Sequence, residues 1–299
     1  MKSIIDKDTV QIEITNACSM RCSNCTRLVG HHKKPYMMDM ETFKKCVDSL
    51  VDFPKMVGIM GGEPLLHPKF EEMCEYLHSK IPRKRCGLWS VFPKGKERYA
   101  PLIAKVFGSV LLNDHSRPNI KHGPVLVSVK DYIKDDFNFW YFVDHCWMQN
   151  TWSASVNPKG AFFCEVAAAM DVTFNGPGGW PIEPGWWKKT PKDFVEQMER
   201  YCKDCGVAFN LKARLDTENV DDVSPRMLEK LKAIGSPKLK KGNVSVYKGG
   251  VTKVQQYINE FRNDGAYARK VARKYNIELD KQPNGYLSPR YVGPPAEAK

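Results

Sequence analysis

The stretch Val10-Gln11-Ile12-Glu13-Ile14-Thr15-Asn16-Ala17-Cys18-Ser19-Met20-Arg21-Cys22-Ser23-Asn24-Cys25 decides how this chain is read. Its first six residues alternate apolar and polar, the period of a half-buried β-strand. Three cysteines follow at C-x3-C-x2-C spacing, on the loop that leaves the strand at its C-terminal end. Parallel α/β proteins build their sites at that end of their strands. Three thiolates hold three irons of a [4Fe-4S] cube, which ordinarily takes four cysteines, and leave one iron open. Zinc prefers paired C-x2-C units and disulfides belong to secreted chains, so both fit this spacing poorly.

A second apolar run, Met56-Val57-Gly58-Ile59-Met60, leads into Gly61-Gly62-Glu63-Pro64, after which His67-Pro68 opens a helix. Two glycines let a ligand approach the backbone closely, and a glutamate accepts from an ammonium. Alone the triplet is a common turn; after the next strand beyond a three-cysteine loop it is specific.

Together these residues resemble the radical S-adenosylmethionine (SAM) superfamily. The resemblance implies that Cys18, Cys22 and Cys25 ligate a [4Fe-4S] cluster whose open iron is chelated by SAM. It implies that Gly61, Gly62, Glu63 and Pro64 line the methionine moiety, with Glu63 accepting from the SAM amine. Reduction of the cluster would then split SAM into methionine and a 5′-deoxyadenosyl radical that abstracts hydrogen from a substrate. The residue before the third cysteine, often aromatic and near the adenine in this family, is Asn24 here.

Composition sets outer bounds. The 299 residues suffice for about two domains with a real core. Eleven per cent aromatics fit a globular chain, and no apolar run reaches the roughly twenty residues that span a membrane. Met1–Asp6 lacks the apolar core of a signal peptide, so a cytoplasmic enzyme is expected, and ten cysteines there favour metal over disulfides. The net charge of +12 is uneven: Arg226 to Lys299 carries sixteen Lys and Arg against six Asp and Glu. The bases are scattered without interleaved stacking aromatics, so a solvated face is preferred over a nucleic-acid surface.

Further along, Gly30-His31-His32-Lys33-Lys34-Pro35 is polar, and adjacent histidines without further ligands do not make a metal site. A helix starts after Asp39 as N-cap and turns Met40, Phe43, Val47 and Leu50 to the sheet. Another turns Phe70, Met73 and Leu77 inward; Cys46, Cys74 and Cys86 read as buried thiols. Strands are expected at 88–92, 110–112 and 125–129, with a helix over 99–107 between the first two. Strand and helix alternate, the mark of a parallel sheet with right-handed crossovers. The resemblance makes this a partial (βα)6 TIM-like barrel whose strand ends bring Ser90 and Asn113 near the SAM ribose.

After Asp135 an aromatic segment, 137–142, leads to Cys146. Residues 152–157 and 161–164 read as a β-hairpin around Pro158-Lys159-Gly160. A loop covers 175–181, and a helix begins at Thr190 with Pro191 at its first position, burying Phe194, Met198 and Tyr201. Cys202-Lys203-Asp204-Cys205 follows directly. Cys146, Cys164, Cys202 and Cys205 thus surround a hairpin and a helix end. Four thiolates suit zinc or iron–sulfur; their spacing resembles the twitch module, a shortened SPASM domain, which implies an auxiliary [4Fe-4S] cluster. Ser224-Pro225 opens a helix that Gly235 closes, and Val254, Ile258, Phe261, Val271 and Tyr275 suggest a longer amphipathic one. The tail after Gln282 reads as irregular.

The expected architecture is α/β: a partial barrel over 1–140, a small twitch-type α+β iron–sulfur module over 141–215 and a basic, partly helical C-terminal extension over 216–299. The expected cofactors are two [4Fe-4S] clusters and SAM, with a flavodoxin or ferredoxin as reductant and no membrane partner. A second cluster with four cysteines has no iron free for substrate, so electron transfer is its expected role. This resembles radical SAM dehydrogenases of amino-cyclitols and favours oxidation of a polar small molecule, sugar- or cyclitol-like and compatible with negative charge. A peptide- or protein-modifying maturase and an RNA-directed iron–sulfur protein are the alternatives. Asp114, His115, His145 and Glu165 lie near predicted strand ends or cluster cysteines, and each reads first as a structural hydrogen-bonder.

Overall fold

A computed structural model of the chain describes residues 1–113, 120–133, 136–151, 154–209 and 211–248, and a strand pair at 277–281 and 287–291. Asp114, His115 and the amphipathic pattern from Val254 to Tyr275 lie outside the described residues.

Four parallel strands, β1 (Thr9–Thr15), β2 (Met56–Gly61), β3 (Cys86–Ser90) and β4 (Ser109–Leu112), alternate with helices α1 (Met40–Ser49), α2 (Phe70–Lys80) and α3 (Ala100–Val106). In space the order is β4-β3-β2-β1, so each crossover places the next strand beside its predecessor. The helices form where expected. Asp39 caps α1 by accepting from the Thr42 amide at 2.7 Å, and Met40, Phe43 and Val47 are buried. Phe70, Met73, Cys74 and Leu77 bury the inner face of α2.

Several expectations change. No strand forms over 125–129: Leu126 makes a single bridge to Val223, and a short helix starts at Val129. The fifth parallel strand is instead Ala154–Asn157, the first arm of the hairpin, which pairs with β1 through Val10↔Ala154 and Ile12↔Val156. Its second arm, Gly160–Phe162, runs antiparallel at the sheet edge. An apolar run such as 125–129 cannot by itself distinguish a buried strand from a buried bend. The third strand also lies earlier than expected, ending at Ser90, because Phe92 takes a left-handed φ of 49°.

The helix expected from Thr190 begins at Val195, since the Thr190 amide donates to the Asp193 carboxylate at 2.7 Å and closes a turn first. A helix not foreseen, Glu165–Thr173, follows the hairpin directly from Cys164. The tail is not wholly irregular: Ile277–Lys281 and Leu287–Tyr291 pair antiparallel. Among the described residues no helix is long and apolar enough to cross a membrane.

Every residue of β1 is buried, not half of them. Strands flank it on both edges, Val10, Ile12 and Ile14 join the apolar core, and Gln11 and Glu13 on the other face meet Arg27. The alternation marks a strand buried on both faces, with polar groups turned towards the site.

Candidate functional site

The C-terminal ends of β1 and β2 are laced together by backbone. The Gly62 amide donates to the Thr15 carbonyl and the Glu63 amide to the Ala17 carbonyl, both at 2.7 Å. A Cβ on Gly61, whose φ is +140°, would lie 2.0 Å from the Thr15 oxygen, and one on Gly62 would lie 2.2 Å from the Ala17 oxygen. The two glycines are therefore required by the cysteine loop's own backbone, which sits where their side chains would be.

Glu63 is fully buried. Its carboxylate accepts from Ser90 Oγ at 2.7 Å and the Leu65 amide at 3.0 Å through one oxygen, and from the Val91 amide at 2.8 Å through the other. It joins the end of β2 to the end of β3, and Ser90 is a partner in that joint. Burial raises its pKa, against the hydrogen bonds that hold it down. Pro64 opens the following 3-10 turn. We expect Glu63→Ala to leave the Leu65 and Val91 amides unanswered, at a cost of about 1–3 kcal/mol each. Chemical denaturation would detect the loss, and an unchanged midpoint would contradict this role.

Cys18, Cys22 and Cys25 line one cavity of about 320 Å³ at these strand ends, within the size range of small-ligand sites. Gly61, Gly62 and Asn113 line it too, whereas Asn24, Glu63, Pro64 and Ser90 are not among its lining residues. Burial pushes the Cys18 and Cys22 thiols up to about 12 and raises Cys25. Thiols in such surroundings become thiolates when a metal supplies positive charge. Three thiols beside an open space thus suit a cluster with one uncovered iron.

The cavity also contains a buried ion cluster. Arg27 lies 2.9 Å from Glu165 and 3.3 Å from Glu13, and Ser155 Oγ donates to Glu13 at 2.7 Å. Arg27, Glu165, Asn113 and His122 give the lining a polar part. No motif spacing marks Arg27, because its partners come from β1 and from the helix 138 residues later.

Asn24 faces away from this space. With φ of 50°, it donates through Nδ2 to the Asp222 carboxylate at 3.1 Å and accepts the Asp222 amide at 2.8 Å, as a strand partner would. Around it, the 216–242 segment wraps the cysteine loop. Asp221 accepts from Lys238 Nζ at 2.8 Å and contacts His31 Nε2 at 2.7 Å; Lys238 also donates to the Cys22 carbonyl at 3.0 Å. His31 is a clamp in this network, and burial keeps neighbouring His32 neutral by lowering it to about 4.

Burial would raise the Asp221 carboxyl, but the His31 hydrogen bond and Lys238 outweigh it and hold it below the ordinary range. Its stabilisation is thus present above the unfolded carboxyl pKa of about 3.9 and is lost as pH falls through the lower folded value. Asp221→Ala, which strands Lys238 in the interior, is expected to cost about 3–5 kcal/mol. Urea unfolding at pH 7 measures this, and a loss below 1 kcal/mol would overturn it.

The second cysteine set also comes together. Cys146 precedes the helix Trp147–Thr151, Cys164 follows the hairpin, and Cys202 and Cys205 close the helix Val195–Tyr201 in a 3-10 turn. All four line one space of about 30 Å³, two to three times what a water needs (~10–15 Å³). Burial raises all four thiols, Cys164 to about 12. The thiols ring the space; among the described residues no three His, Cys, Asp or Glu side chains converge at single-ion distances. Met148 lines both this space and the larger cavity, so its side chain forms part of the wall between them. His145 is not among the lining residues of either space: its Nδ1–H donates to the Tyr141 carbonyl at 2.8 Å, and its ring stacks on the Tyr141 ring at 4.2 Å.

Residues 12–105 match the model of the radical SAM superfamily, and Cys18, Cys22, Cys25 and Gly61-Gly62-Glu63 lie within the matched stretch. That superfamily's model implies one [4Fe-4S] cluster and SAM. Among solved structures, the chain is similar to BtrN in complex with AdoMet and 2-DOIA, with 16% identity, 67% of this chain and 92% of BtrN covered, and a TM-score of 0.44. It is also similar to Streptococcus suis SuiB bound to S-adenosylmethionine, with 10% identity, 83% of this chain and 52% of SuiB covered, and a TM-score of 0.32. No curated protein sequence matches the chain.

Proposed function

We propose that this chain is a radical SAM enzyme that oxidises a polar small molecule, sugar- or cyclitol-like, with a second [4Fe-4S] cluster at Cys146, Cys164, Cys202 and Cys205 as the electron acceptor. The observation that carries the proposal is the shared wall: Met148 borders both the three-cysteine cavity and the four-cysteine space. When bound, the first cluster and SAM supply a 5′-deoxyadenosyl radical that takes one hydrogen atom from the substrate. Oxidising an alcohol to a ketone then removes one further electron and one proton, and an electron acceptor next to the cavity meets the first need.

The chain's own residues divide the remaining work. Cys18, Cys22 and Cys25 hold the first cluster, while the Gly61-Gly62 backbone and Asn113 border the space left for SAM. Glu63 and Ser90 fix the strand ends that shape it. Arg27, charged between Glu13 and Glu165, offers a hydroxyl-rich or anionic substrate a donor in an otherwise buried setting. The domain limits at 140 and 215 belong to this reading, with residues 216–242 of the last segment supporting the first cluster's loop.

The test is anaerobic incubation with SAM and dithionite, followed by candidate polyols. Release of 5′-deoxyadenosine and methionine with about eight irons per chain is expected. Zinc at the four-cysteine site, or no 5′-deoxyadenosine, would refute the proposal.

A further inference from the structure

Lys7 precedes β1 and is fully buried. Its ammonium donates to Gln149 Oε1 at 2.6 Å and to the Phe163 carbonyl at 2.5 Å. Both acceptors belong to segments that carry the second cysteine set: Gln149 lies three residues after Cys146 and lines the same space, and Phe163 immediately precedes Cys164. The rings of Phe163 and Phe194 lie 5.8 and 5.6 Å from the ammonium.

A buried charge costs several kcal/mol unless an opposite charge meets it, so buried ammoniums are nearly always paired. Among the described residues no carboxylate lies within 4.0 Å of Lys7 Nζ. The groups whose negative charge acts on it are Cys164, Cys146 and Cys202 in that order, followed by Glu165. Burial lowers it, those four groups oppose the lowering, and the net value is about 8. As neutral thiols they offer no counter-charge.

We propose that Lys7 is the built-in counter-ion of an anionic four-thiolate metal centre at Cys146, Cys164, Cys202 and Cys205, and that its positive charge raises the reduction potential of that centre. Four thiolates around a [4Fe-4S] core of charge +2 leave a net −2, and reduction adds another negative charge. A cation fixed beside the ligands favours the reduced form, because net charge is one of the determinants of cluster potential. A centre that must take an electron from a substrate gains driving force from such a cation. The inference rests on the auxiliary-cluster reading above, and it identifies the residue that tunes that cluster.

The test uses the full chain carrying Cys18→Ala, Cys22→Ala and Cys25→Ala, so that the second cluster is observed alone, and follows its reduction by EPR in a potentiometric titration. Lys7→Met is expected to move the midpoint to lower potential by at least a tenfold change in the oxidised-to-reduced ratio, about 59 mV for a one-electron couple. Lys7→Arg, which keeps the charge, should stay near wild type. Should Lys7→Met give no soluble protein, Lys7→Gln removes the charge while keeping donors for Gln149 and Phe163, and carries the same expectation. Loss of the cluster from the neutral variants but not from Lys7→Arg would equally support a counter-ion. A cluster present in both neutral variants with an unmoved midpoint overturns the Lys7 inference and leaves the proposed function standing. Zinc, or no metal, in the parent protein overturns both.

Discussion

Replacing Cys18, Cys22 and Cys25 together by Ala is expected to lower iron from about eight atoms per chain to about four and to abolish SAM cleavage. The two cysteine sets lie on different segments: the first on the loop after β1, the second on three segments beyond residue 145. Each set lines its own space, so removing one donor set leaves the other with all its thiols. The loop itself should stay in place, because Lys238, Asp221 and Asn24 hold it without using any cysteine side chain. Iron and sulfide analysis of anaerobically prepared protein checks the count, and chromatography of a SAM incubation checks the cleavage. Undiminished iron in the triple variant would sink the assignment of the first set.

Removing the second set is expected to uncouple the two halves of the reaction. Cys202 and Cys205 are the pair to change, since both are partly exposed while Cys146 and Cys164 are buried in the core. Cys202→Ala with Cys205→Ala takes two of four thiolates from the second site, which is too few to hold a cubane. The first cluster should remain and still release 5′-deoxyadenosine, but no oxidised product should accumulate, because the electron left on the substrate has nowhere to go. A soluble double variant that still completes the oxidation would eliminate the electron-acceptor role. Loss of the first cluster as well would point to a centre that only braces the wall around Met148. Zinc in the wild-type protein would decide the matter sooner, since zinc has no redox chemistry.

The amino-acid sequence alone identified what is encoded locally. The alternation of Val10 to Thr15, the C-x3-C-x2-C spacing and Gly61-Gly62-Glu63 each lie within a few residues, and α1 and α2 follow from their caps and apolar periods. Cys146, Cys164, Cys202 and Cys205 were also legible as a set, because a hairpin and a helix end brought them within reach of one another. Tertiary structure decided everything that depends on partners far apart in the chain. It gave the hairpin to the main sheet beside β1, where the apolar run at 125–129 had seemed the better strand. The glycines turned out to make room for the Thr15 and Ala17 carbonyls, and Glu63 to join two strand ends, since the crowding at a strand terminus depends on what packs there. Asn24 proved to be a strand-like partner for Asp222, 198 residues away. Lys7, Arg27 and Lys238 look in sequence like ordinary surface bases. Their importance comes from burial, which makes a charge costly and forces it to find a partner, and burial is a property of the packed molecule that no local spacing records.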